Sequence, residues 1–213
     1  MRRGILAQAA FLALAFIAVR AGAQPFSVAE EARAPRPKPD CLDGSKYDDA
    51  KFEQGLRPTL FDDNFVQLIE AKSYPAKLQK VCIAWRRTSF WNGIVFDLRI
   101  WTTDGPNGGP GTRIDTIRSL TASRIPTRAV FYTYDLSGYN IIIDGPVYIG
   151  PFWDPLSYFL VYLATDTSPK TPYRRSFYGV GILDDQPPRF ELGPGSAIPN
   201  FRAFGIRATF TTP

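Results

Sequence analysis

Histidine is absent from the 213 residues of this chain. Without an imidazole, the chain cannot build a Ser-His-Asp or Cys-His catalytic group, a zinc site with histidine ligands or a histidine general base. It also has no internal repeat and, after residue 23, no long segment with the 3.6-residue apolar period of a helix. We therefore expect a non-enzymatic protein.

A dense run of lysine or arginine is also missing. The net charge is +5, but Arg2, Arg3 and Arg20 lie in the first 23 residues, and without them 22 basic and 20 acidic residues leave only +2. Nucleic-acid-binding domains instead carry a concentrated basic patch. We therefore predict no nucleic-acid partner.

The N-terminus has the pattern of a secretory leader. Arg2 and Arg3 precede an apolar run from Ile5 to Val19, and small residues at 21–23 form a cleavage site. The run is about fifteen residues long, shorter than the ~20 that a spanning helix needs. We predict a signal peptide over 1–23, a mature form with no membrane span, and a secreted or periplasmic location. An uncleaved membrane anchor is the alternative.

Residues 24–40, "QPFSVAEEARAPRPKPD", combine closely spaced prolines with charges and predict an extended stalk or linker.

The two cysteines of the chain, Cys41 and Cys82, follow the predicted stalk. In an exported protein they predict a disulfide, closing a loop of about 40 residues and worth roughly 4 kcal/mol. If Val81, Ile83 and Trp85 face the core, Cys82 points outward, and the bridge would pin the incoming segment onto the outside of the fold. Two free thiols are the alternative.

Strand patterns fill the rest of the chain. In "GIVFDLRIWT" (93–102) and "FGIRATF" (204–210) apolar and polar residues alternate, as in half-buried strands. "LSYFLVYLA" (156–164) is apolar on both faces and predicts a covered central strand. Turn residues separate these runs, so we predict an all-β, antiparallel, jelly-roll-like sandwich as a single domain over 41–213. The other predicted strands are Phe65–Glu70, Ala76–Arg86, Arg113–Leu120, Ala129–Leu136, Asn140–Ile149 and Phe177–Leu183.

The stretch "WTTDGPNGGPGTRI" (101–114) is the most glycine-rich part of the chain. It lacks the lysine and the following helix of a P-loop, and Pro106 and Gly108 replace oxygen ligands that an EF-hand loop requires. It therefore predicts a bend between two strands. A less regular calcium site that uses Asp104 and Asn107 is the alternative.

Several segments resemble one known family. They are "YDDAKFEQG" (47–55), "FVQLIEAKSYPAKLQKVCIAW" (65–85), "FDLRIWTTDGPNGGPGT" (96–112), "VYIGPFWDP" (147–155) and "FRAFGIRATF" (201–210). Together they resemble a largely uncharacterised module of secreted bacterial proteins with a YDDGTxExG start and a glycine-rich "PGT" turn. The chain departs from it at Ala50, where the signature has glycine, and at Thr102-Thr103, where acidic residues are usual. The resemblance implies a β-sandwich accessory module without known catalytic residues.

Aspartates and tryptophans are the candidate ligand-binding residues. Asp48, Asp49 and Asp104 could hold calcium, because hard oxygen ligands suit this cation, but aspartates also serve as turn residues. Trp91, Trp101 and Trp153 could stack on a sugar ring or anchor a partner. Loops that cover these rings are the alternative. No cofactor other than calcium is predicted.

These patterns together predict a secreted, non-enzymatic β-sandwich module that binds a carbohydrate or a surface protein, or has a structural use at the cell exterior. Two alternatives stay open. One is a carboxylate-based glycan hydrolase, which needs only two suitably spaced carboxyl groups. The other is a purely structural envelope protein stabilised by bound calcium.

Overall fold

Short antiparallel strands make up most of the described chain. The computed structural model describes residues 45–58, 63–88, 90, 93–154, 157–158, 160–171, 175–180, 187–192 and 201–213, all within the unit Pro37–Pro213. The predicted signal peptide, the stalk, Cys41 and Trp91 lie outside these residues. The strands, in chain order, are β1 Gln54–Leu56, β2 Asp63–Ile69, β3 Ala76–Arg87, β4 Gly93–Trp101, β5 Arg113–Ser123, β6 Val130–Asp135, β7 Ile142–Ile143, β8 Val147–Phe152, β9 Val161–Asp166, β10 Ser176–Val180, β11 Phe190–Leu192, β12 Ala203–Phe204 and β13 Ile206–Thr211.

The strands form two sheets, and every strand pair in the described residues is antiparallel. Sheet A contains β1, β9, β12, β3, β13, β6 and β7, with the long strand β3 at its centre. Sheet B has the order β11-β10-β2-β8-β4-β5. The prediction of an all-β antiparallel sandwich is confirmed. Among the described residues, no helix is long and apolar enough to cross a membrane.

Aromatic rings from both sheets meet in the core. Trp85 of β3 contacts Phe96 of β4 and Trp153, in each case with ring centroids 5.2 Å apart. The Trp85 indole donates a hydrogen bond of 3.1 Å to the hydroxyl of Tyr134, and burial raises the pKa of Tyr134. Edge-to-face rings of this kind add to the stabilisation from their buried area, so this cluster holds the two sheets together.

Most predicted strands are found with shifted ends, one is divided into two, and two observed strands were not predicted. The strand predicted over Asn140–Ile149 is two strands, β7 and β8, separated by a turn over residues 144–146. The strand predicted over Leu156–Ala164 begins only at Val161. The three-residue strands β1 and β11 were not predicted, because a segment that short shows no measurable alternation.

Residues 45–52 run along the edge of sheet A and lie over part of its outer face. Ser45 bridges to Ala208 of the edge strand β13, and the ring of Phe52 contacts Phe131 of β6 with centroids 5.5 Å apart. Arg207 lies at an outward position of β13, as the alternation over 204–210 indicates, but its side chain is only 2 % exposed. It is buried because this segment lies over it.

A buried ion pair fastens the covering segment. The Arg207 guanidinium donates to both carboxylate oxygens of Asp48, with 3.0 Å between Nε and Oδ2, and the guanidinium carbon lies 4.3 Å from the centre of the Phe131 ring. Asp48 Oδ1 also accepts the backbone N–H of Ala50. Ala50 has a φ of 66°, in the left-handed region that favours glycine.

A second carboxylate holds the same segment. Asp166, at the end of β9, is fully buried. Its Oδ2 accepts the backbone N–H of Asp49 at 2.9 Å and the hydroxyl of Thr171 at 2.7 Å, and its Oδ1 accepts the N–H of Ser168. Arg207 of β13 and Asp166 of β9 thus hold the consecutive residues Asp48 and Asp49 in place.

Cys82 lies on the outward side of β3, as predicted, but it is fully buried. Its Sγ lies 3.3 Å from the Thr133 hydroxyl. Because Cys41 is outside the described residues, the Cys41–Cys82 disulfide stays a prediction.

Replacing Asp48 with alanine should be strongly destabilising, because Arg207 would stay buried without its counter-ion. We expect the free energy of unfolding, measured by urea denaturation, to fall by about 3–5 kcal/mol. Asp49→Ala is the comparison variant, because the exposed Asp49 side chain accepts a hydrogen bond from the Lys51 N–H, and the loss of this bond should cost only about 1 kcal/mol. Equal losses in the two variants would contradict this role for the ion pair.

Candidate functional site

The glycine–proline loop (residues 102–112) joins β4 to β5 and is closed by its own backbone. The N–H of Thr102 donates to the carbonyl of Thr112 at 2.8 Å, and the N–H of Gly111 donates to the carbonyl of Thr102 at 3.1 Å. A 3-10 turn over Pro106–Gly108 forms the tip. The prediction of a bend between two strands is confirmed, and the loop is closed by hydrogen bonds within its own backbone.

Asp104 is the polar centre of this loop. Its Oδ1 accepts the Thr112 N–H at 2.7 Å and the Thr102 hydroxyl, and its Oδ2 accepts the Thr112 hydroxyl at 2.8 Å. These donors, led by the Thr102 hydroxyl, lower the pKa of Asp104 from 3.8 to about 2. The carboxylate therefore stays ionised at neutral pH and fastens both ends of the loop.

Three loop positions require glycine: Gly108, Gly111 and Gly105, where a Cβ would lie 2.1 Å from the carbonyl oxygen of Pro110. A Cβ on Gly111 would lie 1.8 Å from Asp104 Oδ1 and 2.5 Å from the backbone nitrogen of Gly105. Gly108 has a φ of 69°, a conformation that costs other residues more than glycine. The glycines of this stretch thus permit close backbone approach around a carboxylate.

The loop folds over aromatic rings on the outer face of sheet B. The Tyr148 hydroxyl donates to the Gly108 carbonyl at 3.0 Å, and Arg175 donates to the Asn107 carbonyl at 2.7 Å. Beneath lie Trp101, which is fully buried, and Phe177, whose ring centroid is 5.2 Å from that of Tyr148. Burial raises the pKa of Tyr148 to about 12.

The tryptophans suggested as ligand platforms have different positions. Trp101 points outward from β4 as predicted, but it is 0 % exposed, and Trp153 in the core is 2 % exposed. Their interpretation as exposed platforms is wrong. The glycine–proline loop contributes to the cover of Trp101, and the two sheets enclose Trp153. Trp91 lies outside the described residues.

The candidate calcium ligands do not form one cluster. Asp48 is paired with Arg207, Asp49 Oδ1 accepts the Lys51 N–H, and Asp104 fastens its own loop. Across the described ranges, no group of three or more His, Cys, Asp or Glu side chains is placed to hold a metal ion. Each of the three aspartates thus has a role in backbone or ion-pair structure.

A surface groove of about 460 Å³ lies beside the loop. We call it the loop groove, and it is lined by residues 102–104, Ile114 of β5 and residues 142–147. Ile114 and Ile142 are 41 % and 45 % exposed, unusual values for isoleucine in a strand, whereas Ile143 and Val147 are buried. Asp104 and Asp144 provide two carboxylates at its surface.

Sequence reasoning missed Ile114, Ile142 and Asp144. One signal was present: Ile141, Ile142 and Ile143 are consecutive, and successive strand residues point to opposite faces, so at least one of them must point away from the core. What the sequence could not supply was that β5 and β7, from different sheets, bring Ile114 and Ile142 to one groove.

The fold and this groove define the class of the protein as an antiparallel β-sandwich with a loop-covered outer face and an open groove beside that loop. In comparisons with known proteins, no family model, no curated protein and no solved structure matches the chain.

Gly111→Ala should disrupt the loop, because the added methyl group meets backbone and carboxylate atoms rather than a flexible side chain. We expect a loss of about 1–3 kcal/mol in the free energy of unfolding, measured by urea denaturation. Gly145→Ala is the control, since a Cβ there meets no atom within 4 Å, and its effect should stay within about 0.5 kcal/mol. Similar effects at the two positions would contradict the close packing of the loop.

Acidification should release the loop only at very low pH. Because the pKa of Asp104 is lowered from 3.8 to about 2, its stabilising contribution is present above pH 3.8 and is lost as the pH falls through about 2. The amide signal of Thr112 in NMR spectra should therefore titrate with a midpoint near 2. Asp104→Asn should abolish this titration, whereas a midpoint near 3.8 would show that the hydrogen bonds to Asp104 are not formed.

Proposed function

We propose that this chain is a non-enzymatic binding module that works outside the cytoplasm and holds its ligand in the loop groove. The observation that carries the proposal is the pair of exposed isoleucines, Ile114 and Ile142, at the wall of a concave surface. Adjacent exposed apolar side chains that form one patch with a polar rim mark interaction sites. The loop beside the groove is closed by its own hydrogen bonds, and a preformed site loses less conformational entropy when a ligand binds.

An extracytoplasmic location agrees with the chemistry of the chain. The leader pattern over residues 1–23 is one support. The second is the pair Cys41 and Cys82, which we propose to be disulfide-bonded, because such bonds persist in oxidising compartments. The bridge would add a covalent restraint to the segment that Asp48 and Asp166 already hold by polar contacts.

A protein ligand fits the groove better than a carbohydrate. Its exposed apolar wall is formed by isoleucines, which pack on other aliphatic groups, whereas sugar rings are usually stacked on aromatic side chains. Among the tryptophans that the sequence suggested for sugar binding, only Trp91 lies outside the described residues and keeps that assignment open. Carbohydrate binding is therefore a less favoured version of the same proposal.

A carboxylate-based glycan hydrolase is the second candidate, and one observation favours it. Asp104 and Asp144 line the same groove, and hydrolases of this type use two carboxyl groups that face one bond. The low pKa of Asp104 keeps this carboxylate ionised, as a nucleophile must be, but it makes the group a weak base. Both of its oxygens, however, already accept hydrogen bonds from the loop.

The test uses the chain exported with its own leader and labelled at isoleucine methyl groups. A panel of blocked peptides and soluble cello-, xylo- and chito-oligosaccharides is added, and the methyl signals of Ile114 and Ile142 are followed by NMR. We expect a panel member to shift both signals. Ile142→Thr should weaken its binding, measured through Ile114, by about tenfold, corresponding to about 1.4 kcal/mol.

Val95→Thr is the matched control, because Val95 is 41 % exposed on β4 and does not line the groove. It should leave the affinity unchanged. If no panel member moves either methyl signal, the binding proposal is overturned. If an oligosaccharide is cleaved in the same tube, and Asp144→Asn stops the cleavage while the fold is kept, the hydrolase replaces it.

A further inference from the structure

We propose that the loop groove binds a lysine or arginine side chain carried by an extended segment of a partner protein. This inference rests on the proposed function, since it names the chemical class of ligand for the same groove. Three features carry it: the charge of the lining, the acceptor atoms left open, and the exposed aliphatic walls.

The lining of the groove has one sign of charge. Of the described residues that line it, Asp104 and Asp144 are ionisable and none is basic. The nearest basic residue in strand register is Lys77, which lies opposite Ile142 in the β3–β7 pair but does not line the groove. A concave surface with two carboxylates attracts cations and repels anions, although the protein as a whole carries a net positive charge.

An open acceptor remains at Asp144. Hydrogen bonds from Thr102 and Thr112 occupy both oxygens of Asp104, and its own backbone N–H is a further donor, so Asp104 contributes negative charge rather than a free acceptor. Asp144 is exposed, and within the described part of the chain it has no hydrogen bond or ion pair. An ammonium or guanidinium group could therefore pair with Asp144, and the nearby charge of Asp104 would add to the attraction.

The exposed isoleucines favour a side chain over a bare cation. Lysine and arginine carry apolar stems that lie along hydrophobic surface while the charged end reaches a polar group. Ile114 and Ile142 supply such a surface, with buried Ile143 and Val147 beneath it. A metal ion would gain nothing from these residues, because hard cations are bound through several oxygen ligands.

The test compares three blocked peptides of equal length on the exported, isoleucine-labelled chain. The first is acetyl-Val-Lys-Pro-Lys-Val-amide, and in the others norleucine or glutamate replaces both lysines. We expect only the lysine peptide to shift the methyl signals of Ile114 and Ile142. Its affinity should fall when NaCl is raised from about 20 to about 300 mM, because salt screens exposed charges.

Asp144→Asn removes one groove charge without changing the size of the side chain, and we expect it to weaken lysine-peptide binding about fivefold, as for one exposed ion pair. Asp49→Asn is the matched control, because it makes the same change in net charge at an exposed residue that does not line the groove. It should leave the affinity within twofold of that of the unmodified chain.

The outcomes separate this inference from the proposed function. If the norleucine peptide binds the groove as well as the lysine peptide, or if only an oligosaccharide from the earlier panel binds there, the cationic ligand is wrong while the groove remains a binding site. If Asp144→Asn and Asp49→Asn weaken binding equally, the attraction is nonspecific and the inference fails. If no peptide or oligosaccharide moves either methyl signal, both proposals are overturned.

Discussion

The buried ion pair between Asp48 and Arg207 is the constraint on which the arrangement of this fold depends. A charged pair removed from water is tolerated only when its partners satisfy each other, and here two hydrogen bonds and the Phe131 ring do so. The pair holds residues 45–52 against sheet A, so the part of its outer face around Arg207 and Cys82 is buried. The chain itself thereby covers part of one side of the sandwich.

Part of the outer face of sheet B is covered in a similar way, but by different interactions. There the glycine–proline loop turns back over Tyr148, which packs in one buried cluster with Trp101, and the carboxylate of Asp104 closes the loop. Trp101 and Tyr148 are therefore buried rather than presented on the surface. The loop groove lies beside this loop, where β5 of one sheet and β7 of the other expose Ile114 and Ile142.

Alternation predicted the strands well wherever one face was apolar over several residues. Ile94, Phe96, Leu98 and Ile100 of β4 all point into the core, as their spacing indicated. Prediction failed where burial came from a distant segment: Trp101 and Arg207 have the periodicity of outward residues, and they are outward, yet both are enclosed. Periodicity reports which face of a strand a residue occupies, but it carries no information about what lies over that face.

The sequence by itself determined the fold class, the inward-facing set of residues and the position of the glycine-rich bend, because these depend on local spacing and backbone preference. Tertiary structure alone decided that Asp48 meets Arg207, 159 residues away, and that Asp104 and Asp144 line one groove. Such contacts depend on how the two sheets pack and where loops from different strands end in space. A single chain read in order contains no local signal for either contact, which is why the groove emerged only from the folded protein.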